Sequence, residues 1–215
     1  AALGVFFQFS VCCAADNQTA PPPSANSSTA LDFANGLYVR KMYGPAISEY
    51  EKFIQANPGS PEVSSAQFRL ADSRYFSKDY KAAIDGFKAF VRDFPSDARI
   101  SIAWFRIATA HYYLKETAPA VKIFQKLHKE VHDPTVRGGA LFYMGKCYEI
   151  KDKPDKAVEI YQKLLKEYPQ NEFATYAAMA MGDHFLSQKK LDDAGKAYQI
   201  AADRNMPAEI AKEAQ

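Results

Sequence analysis

The residues that could do chemistry in this chain are few, and two histidines are the first to consider. His128 and His132 are four residues apart, so a continuous helix would place both imidazoles on one face. Two such histidines can share a metal ion, but a zinc protease needs a glutamate directly after the first histidine, and Glu130 follows His128 by two positions. We therefore predict a pair of surface histidines, with no metal and no cofactor.

Other catalytic patterns are missing from the sequence. It has no glycine-rich phosphate loop, no Gly-x-Ser-x-Gly elbow and no Cys-x-x-Cys pair. Gly138 and Gly139 open a predicted helix, where we expect them to relieve crowding between helices. Beyond Cys12 and Cys13 the sole cysteine is Cys147, which we expect to be a small apolar side chain in a helix interface. The sequence thus predicts a protein that is not an enzyme.

The chain is organised by a segment that returns at a fixed interval. The alanine that begins AISEYEKFIQANP at 46–58 recurs every 37 residues, and an aromatic residue follows each alanine four positions later. A small residue also precedes each alanine by twelve positions. The alanines are Ala46, Ala83, Ala120, Ala157 and Ala194, and the aromatics are Tyr50, Phe87, Phe124, Tyr161 and Tyr198. Each unit therefore reads as two helices, and a fixed period of this length indicates stacked repeats.

The first helix of each unit carries further columns that could bind a partner. Apolar, polar and tyrosine-rich columns lie fifteen, eleven and eight residues before each alanine, so they share one helix face. Tyr, Phe and Arg are the residue types enriched where a partner is gripped. The predicted groove consists of Asn35, Tyr38, Phe68, Arg69, Asp72, Tyr75, Phe105, Arg106, Thr109, Tyr112, Lys146 and Glu149. The phenylalanines could instead be core between repeats, and the tyrosines could be either. The polar column is expected to face solvent.

The two ends of the chain differ from the repeats in composition. Residues 1–15 are apolar and uncharged, which is typical of a signal peptide remnant or an anchor, and lipid attachment at Cys12 or Cys13 is a further possibility. Residues 16–29 are rich in Pro, Ser and Asn and predict a disordered linker. The five repeats are assigned to 30–207, and 208–215 to the start of a sixth repeat or a capping helix. A net charge of +2 with interleaved signs gives no reason to expect nucleic acid.

The small-residue, aromatic and proline columns resemble tetratricopeptide repeats. Trp104 to Ala108 and Ala157 to Tyr161, followed by Pro169, are similar to that family's usual pattern. The period departs from it, because the family repeats about every 34 residues. The resemblance implies an all-α, right-handed solenoid of five helix-turn-helix repeats, whose first helices line a concave groove for partner segments. Phe94 to Asp97, together with the tyrosine-rich first helices, is also similar to two bacterial envelope families: the periplasmic coordinator associated with the Tol–Pal system and the repeat lipoprotein of the β-barrel assembly machine.

These resemblances give an expected function. The chain would be a non-catalytic scaffold in the periplasm or on the periplasmic face of the outer membrane, with a possible membrane tether at its N-terminus. It would hold another envelope protein, or a peptide segment of one, against units two to four at Tyr75, Arg106 and Tyr112. Two alternatives stay open, which are a module that recognises glycan or peptidoglycan, and the repeat region of a larger envelope protein. The partner's identity and the oligomeric state are not given by the sequence.

Overall fold

The computed structural model describes residues 25–203, with side chains from residue 29 onward. Within that range the chain forms ten α-helices and no strand. They are α1 (Ala25–Val39), α2 (Tyr43–Ala56), α3 (Val63–Phe76), α4 (Tyr80–Asp93), α5 (Ile100–Tyr113), α6 (Thr117–Glu130), α7 (Pro134–Ile150), α8 (Pro154–Glu167), α9 (Phe173–Ser187) and α10 (Leu191–Ala202). The predicted segments 1–15 and 208–215, the possible membrane tether and residues 16–24 of the predicted linker lie outside the described residues.

The predicted all-α repeat fold is confirmed, with two helices in each unit. Ala83 and Ala120 occupy the same place in α4 and α6, and both are fully buried. The aromatics that follow, Phe87 and Phe124, are fully buried as well. The small residue lets two backbones approach, and the ring fills the space beside it. One difference concerns the start of α1, which begins at Ala25 within the predicted linker, because no proline after Pro23 interrupts its hydrogen bonds.

Each turn inside a unit is closed by the same backbone device. A residue with positive φ follows the first helix in every unit: Lys41, Lys78, Lys115, Asp152 and Lys189. The amide of the next residue then donates back to a carbonyl in the last helical turn, as Asp79 does to Arg74 O at 2.9 Å and Glu116 does to His111 O at 2.9 Å. This pattern is the Schellman motif, which satisfies the end of the helix and sends the chain into the second helix.

Glycines mark the tightest contacts between helices. A Cβ at Gly145 would lie 2.2 Å from a ring carbon of Tyr161, and a Cβ at Gly139 would lie 2.9 Å from Phe105. The expectation that Gly138 and Gly139 relieve crowding is confirmed, because a Cβ at Gly138 would also overlap the side chain of Asn171. Cys147 is fully buried in the same part of the stack, as expected for a small apolar side chain.

The stacking of units determines which surface is available for binding. The first helices of consecutive units contact one another along the whole described range, in the order α1, α3, α5, α7 and α9. A stack whose first helices approach closely curves towards them, so these helices form its inner surface. None of the helices in the described range combines the length and the apolar content needed to cross a bilayer.

Candidate partner-binding groove

A polar network joins the first helices of units one, two and three. The hydroxyl of Tyr38 donates to Asp72 Oδ2 at 2.6 Å, and Nε of Arg106 donates to Asp72 Oδ1 at 2.8 Å. Asp72 is buried, whereas the side chain of Arg106 stays 26% exposed. The guanidinium of Arg106 also lies 4.9 Å from the ring centroid of Tyr75 and 5.0 Å from that of Phe76. One carboxylate thus holds three consecutive repeats in register.

The expectation that the polar column faces solvent is wrong at two positions. Asp72 and Thr109 are only 4% and 1% exposed. Asp72 is buried because it accepts hydrogen bonds from both neighbouring first helices. The hydroxyl of Thr109 turns back to its own helix, 3.0 Å from Phe105 O and 3.1 Å from Arg106 O. Neither residue therefore offers a polar group to a partner.

The other polar residues of the groove pair with tyrosines of the second helices. Tyr50 donates to Asn35 at 2.8 Å, and Tyr161 donates to Glu149 at 2.6 Å. Lys146 forms an ion pair with Glu149. Units two and three have Phe87 and Phe124 in place of those tyrosines, so the second helices of these units offer no hydroxyl to Asp72 and Thr109, which have other partners. Asn35 and Glu149 thus accept from hydroxyls of their own units, whereas Asp72 accepts from the two neighbouring units.

The predicted phenylalanines of the groove lie mainly between repeats. Phe68 packs edge to face on Phe87 and Phe90, with ring centroids 5.4 and 5.3 Å apart. Phe105 lies 5.8 Å from Phe124 and 5.8 Å from Tyr143. Both are half-buried, which agrees with the interpretation of this column as packing between units. Arg69 lies above the ring of Tyr38 at 5.0 Å and so follows the inner wall, as expected.

A continuous strip of aromatic rings runs along the edge of this groove, beside the turns within units. In the strip Tyr43 stacks on Phe76 with centroids 5.3 Å apart, and Tyr80 stacks on Tyr113 at 4.9 Å. Edge contacts join these pairs across the repeats. The aromatic strip, as defined here, consists of Tyr38, Tyr43, Tyr75, Phe76, Tyr80, Tyr112, Tyr113 and Tyr143. It crosses four consecutive units.

Exposure within the aromatic strip differs from the sequence prediction. Tyr75 is only 8% exposed and Tyr112 is half-buried, whereas Phe76 and Tyr113 are 39% and 45% exposed. Burial raises the pKa of Tyr75 to about 12. The most accessible rings are therefore one residue beyond the predicted tyrosine column. The sequence does contain a signal for these exposed rings that our prediction did not use. It is a column of apolar residues that recurs every 37 residues at this position and is exposed throughout: Val39, Phe76, Tyr113 and Ile150.

A small cavity opens on the inner surface next to the strip. It has a volume of about 210 Å³ and lies between α3, α5 and α7, with Phe173 at its far side. Its lining includes Tyr75, Phe105, Arg106 and Tyr143. The two Nη groups of Arg106 have no hydrogen-bond acceptor among the described residues. The cavity is large enough for one apolar side chain, and Arg106 can donate to a carboxylate beside it.

The predicted surface pair of histidines is not formed. His132 lies beyond α6, which ends at Glu130, because Asp133 instead begins the next helix by accepting from the amide of Thr135 at 2.8 Å. The side chain of His128 is 15% exposed and packs edge-on against Tyr168. Burial and the nearby Lys163 lower the pKa of His128. No group of three or more potential metal ligands occurs in the part of the chain that the structure describes.

Comparisons with known proteins agree with this architecture. The tetratricopeptide repeat family model matches residues 65–97, 102–131 and 139–171, which fall in units two, three and four. No curated protein has a significant match to the sequence. Proteins with these repeats generally serve as non-catalytic scaffolds that bind other proteins.

Solved structures with a similar fold come from several proteins. MamA is 21% identical with a TM-score of 0.63, over 83% of this chain and 96% of that one. PilF from Pseudomonas aeruginosa is 17% identical with a TM-score of 0.64, over 86% and 79% of the two chains. The apo form of RapI is 16% identical with a TM-score of 0.75, over 88% of this chain and 57% of RapI. At such low sequence identities the similarity shows a shared fold and nothing more. The described part of the chain is therefore an all-α solenoid of helical repeats, and its units two to four match the tetratricopeptide repeat.

Proposed function

We propose that this protein is a non-catalytic scaffold of the bacterial cell envelope that holds a segment of another envelope protein in its inner groove. The aromatic strip carries the proposal. Phe76 and Tyr113 keep large parts of their rings in solvent although each lies within a ring cluster that could have buried them. Aromatic side chains supply much contact area at low cost in conformational entropy, so such rings are typical of binding surfaces.

The cavity beside the aromatic strip determines which side chains the bound segment carries. An apolar side chain of the partner enters between Phe105 and Tyr143, and a neighbouring carboxylate accepts from the free Nη groups of Arg106. Asp72 fixes that guanidinium in advance through Nε, so little ordering of Arg106 remains to be done on binding. Units two to four thus form the docking surface. Localisation in the periplasm is part of the proposal, and it is supported by the apolar residues 1–15 and by the resemblance to envelope families.

The proposal is tested by a quantitative pull-down from a solubilised envelope fraction. The variant Phe76→Ala/Tyr113→Ala removes two exposed rings, so we expect the captured partner to fall severalfold while circular dichroism stays unchanged. Leu191→Ala/Ile200→Ala is the matched control, because those side chains are also exposed but lie on α10. Tyr75→Ala is unsuitable, since Tyr75 is buried and its removal would report on folding.

The outcomes separate the proposed function from its alternative. If Phe76→Ala/Tyr113→Ala captures as much partner as the unmodified protein does, the partner does not bind along the aromatic strip. The same variants are sedimented with purified peptidoglycan, because exposed tyrosine rings can also stack on sugars. Loss of peptidoglycan binding without loss of protein capture would favour the glycan-recognition function.

A further inference from the structure

A second cavity, larger than the one on the inner surface, lies on the other side of the stack. It has a volume of about 720 Å³ and is formed by α4, α5 and α6. Ile100, Trp104 and His111 face it from α5, whereas Ile102, Phe105 and Arg106 of the same helix face the inner groove. At 100° per residue these two sets lie on roughly opposite sides of α5. We call this cavity the outer groove, and it does not depend on the function proposed above.

The outer groove has an apolar floor and a basic rim. Trp104, Ile123 and Leu127 lie along the floor. Lys88 stands on one side, and Lys122 and Lys126 stand on the other, one helical turn apart. Lys126 is 3.8 Å from Glu130, whereas Lys88 and Lys122 have no acidic partner among the described residues. Three lysines against one glutamate leave the rim net positive.

The repeat itself does not require this combination. One unit before Lys122 stands Asp85, and one unit after it stands Glu159. The positions that correspond to Trp104 are Gln67 and Leu141, and the chain has no other tryptophan. Stacking of repeats is satisfied in the neighbouring units without the large ring and without a lysine at the position of Lys122, although Lys163 repeats Lys126 one unit later. The outer groove is therefore a feature of unit three and not a general element of the solenoid.

We propose that the outer groove binds an acidic amphipathic helix of a second partner. Along α6 the groove runs from Pro119 to Val131, which is about 18 Å, or three helical turns. Apolar residues on one face of such a helix cover Trp104 and Ile123. Carboxylates one turn apart pair with Lys122 and Lys126, and a carboxylate on the other flank pairs with Lys88. The inner groove stays free, so the scaffold holds two partners at once.

The test uses Trp104 as a built-in reporter. A synthetic amphipathic helix with leucines on one face, glutamates one turn apart beside them and no tryptophan is titrated into the protein. We expect the Trp104 emission to shift to shorter wavelength and to saturate, because the peptide removes the ring from water. We also expect binding to weaken as salt is raised, since charges at an exposed rim are screened.

Two comparisons make the result decisive. Lys122→Glu/Lys126→Glu should weaken binding of the peptide by about tenfold or more. Lys163→Glu is the control and should leave binding unchanged. Lys163 is the equivalent of Lys126 one repeat later, and it pairs with Glu167 as Lys126 pairs with Glu130. A peptide with lysines in place of the glutamates should bind the unmodified protein about tenfold more weakly or worse. Equal binding of the two peptides would overturn the proposal. It would also be overturned if vesicles containing phosphatidylglycerol shifted the Trp104 emission and displaced the peptide, since the groove would then be a membrane contact.

Discussion

The network around Asp72 gives a prediction whose size follows from its geometry. Asp72→Asn keeps the shape of the side chain but leaves one oxygen to accept from both Tyr38 and Arg106, and the new amide faces a donor. One hydrogen bond to the carboxylate is lost, and the other now has a neutral acceptor, where each bond to a charged group contributes about 1.5–3 kcal/mol. Because Arg106 is 26% exposed and can regain water, we expect the lower part of this range, about 2 kcal/mol of unfolding free energy.

Urea unfolding followed by circular dichroism measures that loss. The matched control is Asp183→Asn, which changes the same repeat column in unit five. Asp183 is exposed and accepts only the hydroxyl of Tyr198, at 2.7 Å, so its substitution should cost well under about 1 kcal/mol. A cost for Asp72→Asn as small as that for Asp183→Asn would refute the claim that Asp72 holds three repeats in register.

Three further predictions concern packing, turns and pH. Gly145→Ala should lower the free energy of unfolding in urea by about 1–2 kcal/mol, because the new Cβ meets the buried ring of Tyr161. Gly195→Ala has open space and should stabilise α10, so it is the control. An unchanged free energy of unfolding in Gly145→Ala would contradict the close approach of the two helices. Lys115→Gly should raise the thermal midpoint by about 1–2 °C, since Lys115 has a φ of 60° that glycine adopts without strain, and a lower midpoint would argue against the strained turn. The hydrogen bonds from Arg99 lower the pKa of Asp97 to about 2, so the stabilising effect of Asp97 is complete above about pH 4 and is lost as the pH falls towards 2. The difference in free energy of unfolding between the unmodified protein and Asp97→Asn, measured in urea, should therefore shrink between about pH 4 and about pH 2. A difference that stays constant with pH would count against the ion pair.

The sequence alone predicted the parts of the fold that each repeat must satisfy for itself. Ala83 with Phe87, and Ala120 with Phe124, recur because every unit needs a small residue and a ring at the same helix crossing. Such a requirement is local and periodic, so it is visible in one sequence. The turn conformation at Lys115 is equally periodic, but it escaped prediction because lysine carries none of the signal that glycine or asparagine gives at a positive φ.

The groove was harder to predict because its details depend on neighbouring units. Asp72 and Asp183 occupy the same column, yet one is buried and the other exposed. Tyr38 and Arg106, which come from the adjacent repeats, decide that difference. Tyr75 was expected at the partner interface and instead forms the floor beneath it, whereas Tyr113, one position past its column, reaches solvent. A column defines a helix face, but it does not tell how deeply the next helix covers that face.

The central claim is that a partner lies along the aromatic strip, and site-specific photocrosslinking in cells tests it most directly. A photoreactive phenylalanine is placed at Phe76, at Tyr113 or, as the control, at Glu159, which is exposed on α8. The account predicts that the first two positions form an adduct with the same envelope protein and that Glu159 does not. Adducts at Glu159 alone, or none at Phe76 and Tyr113 in cells where the protein is present at its native level, would contradict it.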